Sequence, residues 1–421
     1  MSGLYFDPVI SQQSDPTIHT DIISSRVGVA RSNKYSSFNV NQTSQMMTCK
    51  TNGDIILANL FNTADTKFSL NLNPSSVIHT LNKLYLRFSY SNGTGGAVTT
   101  LPTEFAVKKF VHYPNGEASN NELYSTEAYI MDNLTNTVRE NYYKGLVTFT
   151  DNDPSAAATT AAMFTSSTSI ANGATGTFWY PVPDPYSAGS IPLFLLQQDH
   201  TPKLEFTINE AFQDTGGDLT CTAVDVFYFG VTYAPSVLAQ LKMIYSKYPL
   251  VLRTLVVKRN TELVNWTAAT ESSVYNLFNV DGKCAFLIIY TRPTAAAGLN
   301  QITNGAAGLL QLSSFSLKFD NQVYWNYQNF PEDLVQKIFP YQQEFPGFFA
   351  GARRIYILPF TRNPAETLRL HLDRGSARIN NQCTLTVTPA ATTANCTLFY
   401  VAINYAALVI AGGVCSLIEK M

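Results

Sequence analysis

Charge is scarce in this sequence. Only 58 of its 421 residues are Lys, Arg, Asp or Glu (28 basic and 30 acidic), 14% of the chain, where an ordinary soluble domain carries roughly 25%. The balance is near neutral at −2, which argues against a protein that holds nucleic acid or an anionic bilayer through a basic surface. Cysteine is sparse too. Cys49, Cys221, Cys284, Cys383, Cys396 and Cys415 form no CxxC and no ligand-spaced pair, which argues against a zinc ribbon and for buried, reduced thiols. The longest apolar run, Tyr405 to Cys415, has eleven residues, too few to cross a bilayer as a helix. Residues 1–10 lack the basic-then-apolar pattern of a secretory signal.

Catalytic patterns are missing as well. There is no G-x-S-x-G, no G-x-x-x-x-G-K and no H-E-x-x-H. His19, His79, His112, His200 and His371 never fall at metal-ligand spacing. Asp199-His200 sits in a Pro-bounded turn and reads as surface. Asp151-Asn152-Asp153 has no Gly or distal Glu to complete a calcium loop. Gly93-Thr94-Gly95-Gly96 follows a strand but precedes another, so it is a hairpin loop and not a dinucleotide site. The sequence therefore nominates no catalytic, cofactor-binding or metal residue, and no enzyme is expected.

What is abundant is Thr (44) and Asn (33), with 12% aromatic and 45% hydrophobic residues. That mixture is incompatible with disorder and suits strands. Leu84, Leu86, Phe88 and Tyr90 alternate with Tyr85, Arg87 and Ser89. Leu204, Phe206 and Ile208 do the same, as do Phe315, Leu317 and Phe319, and Leu385 and Val387. Period two places one face inward and one outward, as in packed antiparallel sheets. Thr220–Tyr233 and Thr397–Ile410 are apolar on both faces in places and read as central strands. Helical spacing is confined to 125–145, 331–339 and 236–245.

The order repeats. Strand 84–91, a Gly/Thr loop, strand 105–113 and helix 125–145 are followed by strands to 233. Strand 284–291, an Ala/Gly/Thr loop, strand 310–320 and helix 331–339 are followed by strands to 410. The offset is 200 residues at the first strand, 206 at the helix and 175 at the last strands, a loss matching the low-complexity stretch 151–177. The expectation is all-β: two tandem eight-stranded jelly rolls with short helices between strands. Residues 1–65 form an N-terminal arm, 66–235 the first roll with insertion loop 151–177, 236–253 a linker helix and 254–421 the second roll. A hairpin through Pro389–Asn395 is expected to set Cys383 and Cys396 opposite each other.

Several segments carry a resemblance. These are Ser190-Ile-Pro-Leu193 with Pro202–Ile208, Phe330–Gln343 with its Pro-Tyr-Gln exit, Ile355–Pro364, Arg374–Asn380, and Val401-Ala-Ile-Asn-Tyr405 with Gly412-Gly413. In this order they resemble the double jelly-roll major capsid proteins of icosahedral DNA viruses, a lineage of tailless membrane-containing phages and nucleocytoplasmic large DNA viruses. Arg374 stands where many relatives have Pro, and the 151–177 loop has no counterpart. The resemblance implies a structural, non-enzymatic coat protein of the virion shell, synthesised in the host cytoplasm. It implies homotrimers whose six rolls make a pseudo-hexagonal tile, with penton and minor capsid proteins as partners, in many members an internal viral membrane, and no direct nucleic-acid binding. The alternatives are a receptor-binding or lectin-like double β-sandwich spike, stacking sugars on Trp179, Trp266 or Trp325, and a hydrolase on a jelly-roll scaffold.

Overall fold

The computed structural model describes residues 41–48 and 67–419, apart from 75–78, 102, 116–121, 135–168, 184–190, 210–211, 216, 218, 269–270, 295–308, 320–321, 329–354, 363–366, 368–374 and 392. The first half holds β1 (Asn41–Thr48), β2 (Lys67–Asn71), β3 (Thr80–Asn92), β4 (Val98–Thr100), β5 (Val107–Tyr113), β6 (Glu122–Tyr124), helix α1 (Ser125–Leu134), β7 (Ser169–Ile170), β8 (Thr175–Pro181), β9 (Ile191–Pro192), β10 (Lys203–Ile208), β11 (Gln213–Thr215) and β12 (Leu219–Thr232). Helix α2 (Pro235–Tyr245) leads into the second half. This half holds β13 (Leu250–Trp266), β14 (Ser273–Asn276), β15 (Gly282–Pro293), β16 (Leu312–Phe319), β17 (Gln322–Gln328), β18 (Ile355–Pro359), β19 (Ala377–Ile379), β20 (Thr384–Pro389), β21 (Thr393–Ala411) and β22 (Val414–Ile418).

Each half is built on a pair of antiparallel sheets, and the first half adds a small third sheet, β11-β4-β7. In the first, β1-β12-β3-β8 faces β2-β10-β5-β6; in the second, β13-β21-β15-β18 faces β14-β20-β16-β17. Counting the eight principal strands of each half in chain order, both read 1-8-3-6 and 2-7-4-5. That shared order, with every neighbour antiparallel, is the jelly roll, an open sandwich of two Greek keys. The offset between halves is 205 residues at β5 and β16 and falls to 180 at β8 and β18, so the extra residues of the first half lie between β5 and β8.

The alternating strands bury one face. Phe68, Leu86, Phe88, Phe110, Leu204 and Phe206 meet inside the first roll, and Leu287, Ile289, Phe315, Leu317, Leu385 and Val387 inside the second. β15 behaves differently: Cys284 through Arg292 is buried without a break. Its run Ala285–Tyr290 is apolar at every position, as a strand covered on both faces requires. Helix α2 opens on Pro235 at its first turn, where the missing N–H costs nothing.

Three expectations are corrected. Residues 41–48, read as arm, form a strand that pairs with β12 from Asn41↔Thr232 to Thr48↔Asp225 and completes the first roll. Its polar sequence Asn-Gln-Thr-Ser-Gln-Met-Met-Thr hides it from a search for apolar alternation. The stretch 151–177 is not all loop, because 169–170 and 175–177 belong to β7 and β8 and Ile170 is 4% exposed. Cys383 and Cys396 do not sit on a hairpin. Cys383 directly precedes β20 and Cys396 lies within β21, and these strands belong to opposite sheets; the connection crosses the sandwich, and alternation alone cannot tell which sheet a strand joins. The expected helix 331–339, the remainder of helix 125–145 past Leu134, and residues 1–40, 49–66 and 151–168 lie outside the described residues.

Candidate functional site

Among the described residues, no three His, Cys, Asp or Glu side chains come together as metal ligands. His79 Nδ1 accepts the Tyr233 N–H at 2.9 Å while the two rings stack. His112 is buried, and burial lowers its pKa to about 3, so it stays neutral within the core. Asp199 and His200 lie on an exposed 3-10 turn. Gly93–Gly96 link β3 to β4, but the two strands lie in different sheets and do not pair, so the loop is not the hairpin that was expected. Trp266 is 2% exposed and donates to Ser273 Oγ at 3.0 Å, so it presents no face to a sugar. His19, His371, Asp151-Asn152-Asp153 and the Trp325 side chain are outside the described residues. Cys221, Cys284, Cys383, Cys396 and Cys415 are buried free thiols.

The distinctive chemistry lies between the rolls. A continuous apolar cluster runs from the interior of the first roll through Ala128 and Ile130 of α1 to Phe286, Ile288, Tyr290 and Val401 on the outer face of the second. Glu127 of α1 is fully buried at the margin of this cluster. Its Oε1 accepts the Tyr290 hydroxyl at 2.8 Å and lies 3.7 Å from Arg259 Nε. Arg292, 3% exposed, donates through Nη2 to Thr126 Oγ1 at 3.0 Å. The Arg259 guanidinium is sandwiched between Tyr124, 4.0 Å from the ring centroid, and Phe399, 4.6 Å away. Phe399 in turn stacks on Tyr290 at 4.6 Å.

Arg259 therefore pairs with the buried carboxylate, while Arg292 is held by Thr126 and feels the same charge from farther away. Burial pulls the Arg259 pKa down, but Glu127 and then Tyr290 outweigh it, and the net direction is up. Arg292 goes the other way, because burial outweighs what Tyr290 and Glu127 return. Burial, then Glu127, pushes the Tyr290 phenol up, so it stays protonated and donates. Aromatic faces hold what the carboxylate does not: a desolvated cation over a ring is worth up to about 2 kcal/mol. Such an arrangement ties the first half to the second.

A second contact joins the rolls. Gln197 N–H donates to Gly413 O at 2.9 Å and Gln197 Nε2 to Gly412 O at 3.1 Å. Both glycines sit at positive φ, 59° and 87°, in the turn from β21 to β22. A Cβ on Gly413 would stand 2.3 Å from Gln197 Cγ, so this turn requires glycine. Nothing in the sequence marked Gln197, Glu127, Arg259 or Arg292. Each is unremarkable locally and matters only through a contact more than a hundred residues away, or, for Glu127, with two strands of the other roll.

No family model matches the chain, and no curated protein is similar to it. Solved structures are similar in fold. A chain of the PBCV-1 virus capsid aligns at a TM-score of 0.62 and 15% identity, covering 90% of this chain and 97% of that one. The major capsid protein of Faustovirus gives 0.53 and 9%, covering 96% and 97%. A chain of the Sputnik virophage gives 0.53 and 13%, covering 90% and 88%. With both rolls aligned over nearly the whole of each relative, the chain has the double jelly-roll fold of these viral capsid proteins.

Proposed function

We propose that this chain is a structural major capsid protein, which assembles as homotrimeric, pseudo-hexagonal capsomers that tile an icosahedral virion shell. The observation that carries the reading is the pair of rolls with identical strand order, locked side by side by the Glu127–Arg259–Arg292 junction. Rigidly joined like units are what a tile with six near-equivalent positions needs from three chains. Low charge fits a surface destined for burial, since interface cores are depleted of charged residues. The reading places the chain in the virion after synthesis in the host cytoplasm. It gives it neighbouring capsomers, penton and minor capsid proteins as partners, and no enzymatic role. The copy number of the chain in purified particles tests it. A shell protein is the dominant component at hundreds of copies or more, whereas a spike restricted to vertices is present in tens.

A further inference from the structure

The junction between the rolls holds more cation than its carboxylate neutralises. Arg292 is 3% exposed and Glu127 fully buried, and the Arg259 side chain is 9% exposed. A guanidinium keeps its proton inside a protein, so two positive charges meet one negative charge. Glu122 on β6 does not make up the difference, because it is half-exposed and pairs with Lys109 at 2.8 Å. Glu127 itself is committed to one side, with Oε1 accepting the Tyr290 hydroxyl and lying 3.7 Å from Arg259 Nε. Burial pulls the Arg292 pKa down, and Arg259 adds to that pull.

The hydrogen bonds tilt the same way. Among the described residues, Nε and Nη1 of both arginines are buried without a hydrogen-bond partner, as are Glu127 Oε2 and Ser125 Oγ. Each Nε carries one hydrogen and each Nη1 two, so unmet donors outnumber unmet acceptors. Aromatic rings do not answer them: Tyr124 and Phe399 lie over the Arg259 guanidinium, whereas its N–H bonds point outward in its plane. Buried polar atoms in native proteins are paired with protein, water or an ion. Water serves poorly here. A water that accepts from two N–H groups must place two hydrogens of its own, and the unmet side-chain acceptors are Oε2 and the Ser125 hydroxyl. An anion accepts from every side, donates nothing and supplies the missing charge.

We infer that the roll junction binds a small monovalent anion of the halide class, chloride, on the Nε and Nη1 donors of Arg292 beside the first turn of α1. Arg292 Nη2 donates to Thr126 Oγ1 at 3.0 Å, which sets the guanidinium at the start of this ten-residue helix. The positive end of the helix dipole and the Arg259 charge then add to the field at the ion. A cleft of about 710 Å³, lined by Tyr124, Arg259, Asn260 and Phe278 among others, borders Arg259. Phe278 is 63% exposed, so the cleft opens to solvent and gives the ion a way in. Filling the site strengthens the tie between the halves, because its donors come together only where α1 of the first roll meets β15 of the second.

The test unfolds the full-length protein with urea at constant ionic strength, exchanging chloride for gluconate, an anion too large for the site. Going from about 1 to about 100 mM chloride should raise the folding equilibrium constant about tenfold, the mass-action gain for a site half-filled near about 10 mM. Arg292→Met, near neutral in gluconate, should lose that gain. Crystals of the unaltered protein soaked in bromide, which need no variant to fold, should show an anomalous peak beside Arg292 Nε or Nη1. Equal stability in chloride and gluconate, or no bromide at Arg292, overturns the anion and assigns the donors to water. Chloride stabilisation that survives in folded Arg292→Met overturns its placement.

Discussion

The hydroxyl of Tyr290 in the second roll donates a 2.8 Å hydrogen bond to the Glu127 carboxylate of the first, across a sequence separation of 163 residues. Both groups are fully buried. Arg259 lies 3.7 Å from the same carboxylate and Arg292 feels its charge from farther away, so Glu127 is the buried anion that offsets both cations. Removing one partner of such a cluster leaves buried charge uncompensated, which costs about 3–5 kcal/mol. Glu127→Ala should therefore lower stability by that amount in a denaturant titration. Arg292→Met should be near neutral, since it removes a cation whose Nε and Nη1 have no hydrogen-bond partner and supplies apolar volume instead. Equal losses for both variants would mean that the cluster is not organised around Glu127.

The N-terminal strand sets a second expectation. Deleting residues 1–50 removes β1 and bares the edge of β12, whose pairing groups would then face solvent or another chain. The truncated protein should melt earlier and aggregate, whereas a chain lacking only residues 1–40 should keep the melting temperature of the intact protein. Identical melting of the two truncations would show that β1 contributes nothing to the first roll.

The boundary of the inserted stretch can be drawn by replacement. Exchanging 169–177 for a Gly/Ser linker removes β7, the start of β8 and buried Ile170, whose transfer alone is worth about 1.5–3 kcal/mol. Gly176 also lies tightly against Ile170, with 2.7 Å from an added Cβ to Cδ1. That exchange should unfold the first roll, as read from loss of its calorimetric transition. If 151–168 is the loop its low-complexity sequence predicts, the same exchange there should change stability by less than about 1 kcal/mol, because the cost of closing a loop depends only weakly on its length.

The thiols give a pH signature. Burial pushes Cys221 and Cys415 from 9.0 up to about 12 and Cys396 up to about 11. A group whose folded pKa is raised keeps its contribution below the unfolded value and loses it as pH rises through the folded one. Stability should accordingly fall between about pH 9 and 12. At pH 8, no more than one of the six cysteines, Cys49, should react with a thiol reagent before unfolding. Rapid labelling of two or more would contradict the described burial.

Much of the fold was legible because its strands write their burial into the sequence. β3, β10, β16 and β20 alternate cleanly, and the repeated order of elements exposed the duplication. β1 was illegible because it is polar, and β13 was assigned partly to a linker because its first residues continue from α2. The crossing between β20 and β21 was misread as a hairpin, since Pro389–Asn395 is short enough for either path. The junction was invisible for a different reason. Glu127, Arg259 and Arg292 are ordinary charged residues until folding buries them beside one another, and no local pattern encodes a contact between the two halves.

The central claim is that this chain is a tile-forming shell subunit, and the mass and outline of the purified protein test it most directly. Mass measurement at micromolar concentration, paired with electron microscopy of the same sample, should give three copies per particle and flat six-lobed tiles that form sheets or shells when concentrated. A stable monomer that stays dispersed at micromolar concentration and forms no tiles would contradict the account.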